Sequence, residues 1–132
     1  MSIDQLTALI VDLCVKIHSR IGPGCFESIY EEVLYYELIK QGIDVERQKI
    51  LPLTYDNLYL ERAYKLDLLV DHRLVVELKS IHPTHPYLFK QMHSQLFLTG
   101  LKYGMIVNFK VDLMKNGIHR VFNNTGKERL ND

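Results

Sequence analysis

Tyr64-Lys65-Leu66-Asp67-Leu68-Leu69-Val70-Asp71-His72-Arg73-Leu74-Val75-Val76-Glu77-Leu78-Lys79 carries the most informative pattern in the chain. Two apolar runs flank the turn-forming Asp71-His72-Arg73, so the segment predicts a β-hairpin. Asp67 falls inside the first strand, and Glu77 and Lys79 fall at the end of the second. Charged groups in such apolar strands are costly to bury unless something compensates them. Glu77 and Lys79 are two residues apart and share a face of their strand. Hairpin pairing sets Asp67 beside Glu77, which gathers two carboxylates and an ammonium at one spot. Adjacent carboxylates repel unless one is protonated or a cation lies between them. Mg²⁺ or Mn²⁺ suits an all-oxygen site of that kind. The competing reading is plain: an edge-strand ion pair between Glu77 and Lys79, with Asp67 opening a solvated face.

Outward from the hairpin, the flanking segments supply the rest of an α/β domain. Leu6, Leu9, Ile10, Leu13, Ile17 and Ile21 form a helical stripe from about Asp4 to Ile21. Gly22-Pro23-Gly24 breaks the chain, and a second helix is predicted from about Phe26 to Gln41, stopped by Gly42. Strands are predicted over Val45 to Tyr55 and Leu58 to Val70, then Leu74 to Lys79. His82 to Pro86 reads as a loop, and Tyr87 to Gly100 as a helix with Leu88, Met92, Gln95, Leu96 and Thr99 at helical spacing. Tyr103 to Phe109 and Ile118 to Phe122 complete the strands, with a polar tail from Asn123 onward. The order is helix, helix, three strands, helix, two strands, which predicts one domain over residues 1–132 with a central mixed sheet.

Composition bounds the class. A chain of 132 residues, 47% hydrophobic and 24% charged, has the make-up of a single globular domain with a core large enough to fold without staples. Sixteen basic against sixteen acidic residues leave no global field for nucleic acid, so phosphate attraction must come from a local patch. Cys14 and Cys25 lack metal-ligand spacing and are too few for a disulfide scaffold. Asp4 and Asp12 interrupt the apolar N-terminus, which fails as a signal peptide or membrane span, so a reduced, cytoplasmic protein is expected.

Upstream, Gly24-Cys25-Phe26-Glu27-Ser28-Ile29-Tyr30 places Glu27, Tyr30, Glu31 and Leu34 on one helix face. First-turn capping explains Glu27 adequately. A glutamate on a helix packed beside the Asp67 and Glu77 strands could equally complete a metal site. His82, His85 and His93 suggest zinc, but the set lacks a fourth ligand. With Lys79, Lys90 and Lys102 they read as a mildly basic rim or as ordinary solvated surface. Tyr30, Tyr35 and Tyr36 lie on one helix and read as core or interface rather than as base-stacking groups.

Gly24, Glu27 and Tyr30 match the pattern that names the GxxExxY proteins, and the chain resembles that family from roughly Asp4 to Phe122. The resemblance takes in the Asp67 strand, Val76-Glu77-Leu78-Lys79, Gln91 on the following helix, and Gly104 to Phe109 on the next strand. These proteins are placed in the PD-(D/E)XK nuclease-like superfamily, whose restriction-endonuclease-like core is a mixed sheet flanked by helices. The resemblance implies a Mg²⁺-dependent nuclease, with DNA a better candidate substrate than RNA. By the same resemblance, Asp67 and Glu77 hold the metal, with the Leu78 carbonyl as a further ligand. Lys79 orients or deprotonates the attacking water, Glu27 binds a second metal or fixes a water, and Gln91 holds the water or the scissile phosphate. Two departures are visible. Gln95 stands where some exonuclease-like branches carry a tyrosine, and no proline precedes Asp67. Because the superfamily includes inactive members, a nucleic-acid- or protein-binding module on the same fold stays open. A homodimer is also expected, as C2 pairing is the commonest assembly.

Overall fold

In the computed structural model, which describes residues 1–130, a five-stranded sheet is sandwiched between helices. The elements run α1 (Ile3–Ile21), α2 (Glu27–Lys40), β1 (Val45–Tyr55), β2 (Leu58–Val70), β3 (Leu74–Lys79), α3 (Tyr87–Thr99), β4 (Tyr103–Asn108), a 3-10 turn at Met114–Gly117, and β5 (Ile118–Phe122). Strand order in space follows the sequence, β1-β2-β3-β4-β5. All neighbours are antiparallel except β3 and β4, which are parallel. A parallel pair needs a crossover, and α3 supplies it. The result is an α+β domain of the restriction-endonuclease-like kind.

Alternation along the strands explains the layering. Leu74, Val76 and Leu78 face one side, where Leu6, Ile10, Ile17, Leu34 and Leu38 of α1 and α2 cover them. Val75 and Ile106 face the other side, against Met92 and Leu96 of α3. Gly104 permits that second contact: a Cβ there would lie 2.6 Å from Met92 Sδ and 3.2 Å from Leu96 Cδ1. The helices are held by local chemistry as well. Ser2 and Gln5 form a reciprocal capping box at the start of α1, and Gly100 closes α3 in the left-handed conformation at φ 76°.

The β2–β3 turn places Asp71 and His72 at φ 54° and 57°. Such primed geometry matches the twist of the flanking strands, and the Arg73 N–H closes the turn on the Val70 carbonyl at 3.1 Å. Residues 123–130 do not trail away as a loose polar tail. Asn123 is buried and donates to the Leu101 carbonyl, while Lys127 and Leu130 donate to Gly100 and His72. Lys102, expected in a basic rim, instead pairs with Glu128 at 3.2 Å. Among the described residues, no helix is long and apolar enough to cross a membrane.

Candidate active site

The site arises where β2 leaves β3. Their pairing consists of Val70↔Leu74, Leu69↔Val75 and Leu68↔Val76, and it stops there. Asp67 and Glu77 are the next residues along each strand, at the fork. Beyond it, β2 continues with β1 alone as a ribbon of two long strands. A fork leaves backbone groups unpaired, and here a side chain takes one of them: the Leu78 N–H donates to Asp67 Oδ2 at 2.9 Å. Asp67 thus substitutes for the missing rung of the ladder.

Glu77 is the more strained partner. Burial and the neighbouring Asp67 charge push its carboxyl up to about 7, against an ordinary 4.5. Lys79 pulls in the opposite direction but does not offset this. Asp67 is also raised, first by burial and then by the Glu31 charge, with the Leu78 N–H holding it back. Glu77 Oε1 is buried and has no hydrogen-bond partner among the described residues. An acceptor in that state needs a proton, a donor or a cation.

The α3 face supplies the other half of the site. Glu77 and Lys79 point to the same side as Val75, and they line an open cleft of about 560 Å³ with Tyr64, Tyr87, Lys90 and Gln91. Gln95 lies deeper than Gln91, and its Oε1 is buried without a partner among the described residues. A small cavity of about 20 Å³ is lined by both glutamines and Glu77. That is room for one water, whose two protons match two acceptor oxygens. The sequence singled out Gln91; only the packing shows that Gln95 carries the orphaned oxygen.

The α2 face holds Glu27, whose Oε1 accepts from the Ser80 N–H at 3.2 Å just past β3. Glu27 and Asp67 line a cavity of about 280 Å³ with Glu31, Gln48, Lys65 and Leu78. Glu31 was placed on the Glu27 face by the sequence but not counted among the candidate site residues. It is buried one turn beyond Glu27, and Arg47 Nη2 and Gln48 Nε2 both donate to it. The i, i+4 spacing from Glu27 was the available signal. Tyr30 has a structural part: it stacks on Phe109 at 4.0 Å, and its hydroxyl accepts from Cys25 N and donates to the Gly22 carbonyl. The tyrosine therefore ties the Gly22–Cys25 loop to the start of α2, which fixes where Glu27 emerges.

Asn108 does similar work behind Lys79, its partner in register on β4. Its amide donates to Ile81 O and Thr84 Oγ1 and its carbonyl accepts from Ile81 N, so the loop after Lys79 is clamped. His82, His85 and His93 are exposed. Among the described residues, no three His, Cys, Asp or Glu side chains gather closely enough to hold a metal, so neither a zinc set nor a closed Asp67–Glu77–Glu27 trio is formed. Two carboxylates remain together, and Mg²⁺ is commonly held by one or two carboxylates while keeping several waters. The paired Asp67 and Glu77, with the unpartnered Glu77 Oε1, fit that requirement.

The model of the PD-(D/E)XK nuclease superfamily matches residues 4–121, nearly the whole chain. The chain belongs to this superfamily. Superfamily membership implies a nuclease-like function, with nucleic acid as the implied substrate and divalent metals as the usual cofactors. No curated protein and no solved structure matches the chain.

Proposed function

We propose that this protein is a divalent-metal-dependent nuclease of the GxxExxY kind, hydrolysing phosphodiester bonds in DNA in preference to RNA. One observation carries the reading: two partly buried carboxylates meet at a strand fork, one of them with an orphaned oxygen, and Lys79 projects from the same face. A structural ion pair does not need the second carboxylate, whose repulsion costs stability.

Asp67 and Glu77 would hold Mg²⁺ or Mn²⁺, with the Leu78 carbonyl as a further ligand. The chemistry such a metal supplies when bound is Lewis-acid polarisation of the phosphoryl oxygen and charge stabilisation at the leaving oxygen. Lys79 donates to the attacking water and offsets phosphate charge from the open side of the cleft. Gln91 and Gln95 hold that water or a phosphate oxygen by hydrogen bonds. Glu27, anchored on Ser80, guards the opposite mouth of the site and fixes a water or a second cation there. The free Cys14 and Cys25 fit a reducing, cytoplasmic setting. Exposed Ile29, Tyr36 and Ile39 on α2 offer a surface for a homodimer, which light scattering would report as twice the chain mass.

The direct test is a cleavage screen on single- and double-stranded DNA and RNA with Mn²⁺, alongside Asp67→Asn. Cutting by the natural protein and none by the variant is expected. A non-catalytic binding module is the second reading, favoured by the absence of a three-ligand cluster among the described residues. It gains if calorimetry with Mn²⁺ shows no binding heat and no substrate is cut.

A further inference from the structure

The carboxylate fork is flanked by two open clefts of matching chemistry. On the α3 side, the cleft of about 560 Å³ carries Tyr64, Tyr87, Lys79 and Lys90. On the α2 side, the cavity containing Asp67 and Lys65 shares Glu27 and Ser28 with a further cleft of about 510 Å³, which carries Phe26 and Lys110. The two α2-side spaces thus join at Glu27 and Ser28, while the α3 cleft opens on the other side of the fork, at Glu77. Phe26 is 82% exposed and Tyr87 57% exposed, so each presents a ring to solvent beside its cleft. None of Lys65, Lys79, Lys90 and Lys110 has a carboxylate within ion-pair distance among the described residues, whereas Lys16, Lys40, Lys49 and Lys102 are all paired.

An exposed ring beside an unpaired lysine, once on each flank of a phosphate-cutting centre, suits one kind of substrate. Bases freed from a helix stack on aromatic faces while their phosphates follow the ammonium groups. A duplex keeps its bases inside, so such rings would meet only sugar and phosphate. Duplex binding also leans on a broad basic field, and sixteen basic against sixteen acidic residues supply no such field globally. From this arrangement we infer that the substrate is single-stranded nucleic acid, laid across the Asp67–Glu77 fork with a base on Phe26 at one side and a base on Tyr87 at the other. The inference rests on the nuclease reading for what happens at the fork, but its strand preference is a matter of binding alone.

The test measures binding with cutting disabled. Fluorescence anisotropy in EDTA at low ionic strength follows a short labelled oligothymidylate and the same strand annealed to its complement. The single strand should bind tighter. Phe26→Ala and Tyr87→Ala should each weaken it by roughly 5- to 150-fold, the range for one lost base stack, while Phe26→Tyr restores it. Both side chains are exposed, and circular-dichroism melts should show both variants folded. Duplex binding as tight as single-strand binding, no single-strand binding, or alanine variants of unchanged affinity would overturn the inference. A separate Mn²⁺ cleavage assay keeps the two readings apart. Single-strand binding without cutting of any substrate sinks the nuclease reading alone, and cutting confined to duplex sinks only the strand preference.

Discussion

Replacing Glu77 with glutamine in the metal-free protein probes the carboxylate pair directly. The folded-state carboxyl of Glu77 lies at about 7, against an ordinary 4.5. Between those values the folded protein keeps a proton that the unfolded chain has released, so stability falls as pH rises through the window and levels off above it. Taken in full, that difference is roughly 3 kcal/mol at 1.36 kcal/mol per pH unit, and solvent at the cleft mouth reduces it to about 2–3 kcal/mol. With an unfolding entropy of roughly 2.1 cal/mol/K per residue, the loss corresponds to roughly 7–11 °C in Tm. Glu77→Gln keeps the shape and removes the titration. It should therefore match the natural protein near pH 5 and exceed its stability near pH 8 by about the same 2–3 kcal/mol. Urea unfolding in EDTA at several pH values measures this, and the variant subtracts the groups that titrate in the window outside the Asp67–Glu77 pair. Mn²⁺ should return the lost stability to the natural protein near pH 8, because it binds only the folded pair, and return less to the variant. Equal pH slopes for the two proteins would refute the claim that burial and Asp67 strain Glu77.

Lys79→Ala should fold and still bind Mn²⁺ by calorimetry, yet lose about a hundredfold or more in cleavage rate, the scale of a positioned electrostatic group. Gln95→Met removes a buried oxygen that has no protein partner among the described residues, so urea unfolding should show little or no loss of stability while Mn²⁺-supported cleavage falls. Gly104→Ala drives a Cβ into Met92 and Leu96 and should cost about 1–3 kcal/mol, read from the urea midpoint. Tyr30→Phe leaves the Phe109 stack but frees Cys25 N and the Gly22 carbonyl, for about 1–2 kcal/mol, and faster amide exchange at Cys25 should accompany it.

The fold was legible because its elements carry local signals that tertiary contacts reinforce. Gly22-Pro23-Gly24 separates α1 from α2, and Asp56-Asn57 and Asp71-His72-Arg73 mark the hairpin turns, so the predicted bounds of β1, β2 and β3 coincide with those observed. The 3-10 turn at Met114–Gly117 escaped because four residues have no period to read. The docking of residues 123–130 escaped for another reason. A polar composition suggests solvent, yet Asn123 spends its amide on backbone carbonyls that only the folded sheet end presents. Lys102 was misplaced in the same way, since its partner Glu128 lies in that segment.

The site was legible only as far as residue spacing reaches. Period-two alternation put Glu77 and Lys79 on one face, and hairpin symmetry put Asp67 opposite Glu77. What alternation could not reveal is that the ladder ends at Leu68↔Val76. Leu66 packs with Leu69 on the α3 side while Leu68 faces α1 and α2, so the side-chain alternation of β2 breaks at Asp67. A break of this kind lets one carboxylate look into the α2 cavity while its neighbour looks into the α3 cleft. That is why Glu27 and Glu31 gather around Asp67, and Gln91 and Gln95 around Glu77, rather than all four around one point. The division has a chemical consequence. A substrate phosphate at the fork would meet the amide donors of Gln91 and Gln95 from the α3 layer, whereas the α2 layer presents carboxylates suited to a water or a cation, so neither layer alone completes the site. Shifts of α3 against the sheet, as in Gly104→Ala, should therefore impair cleavage more than Mn²⁺ binding, because the Asp67 and Glu77 backbones stay in place while Gln91, Gln95 and Tyr87 move. Equal losses of Mn²⁺ affinity and cleavage in that variant would show that the two halves of the site act as one.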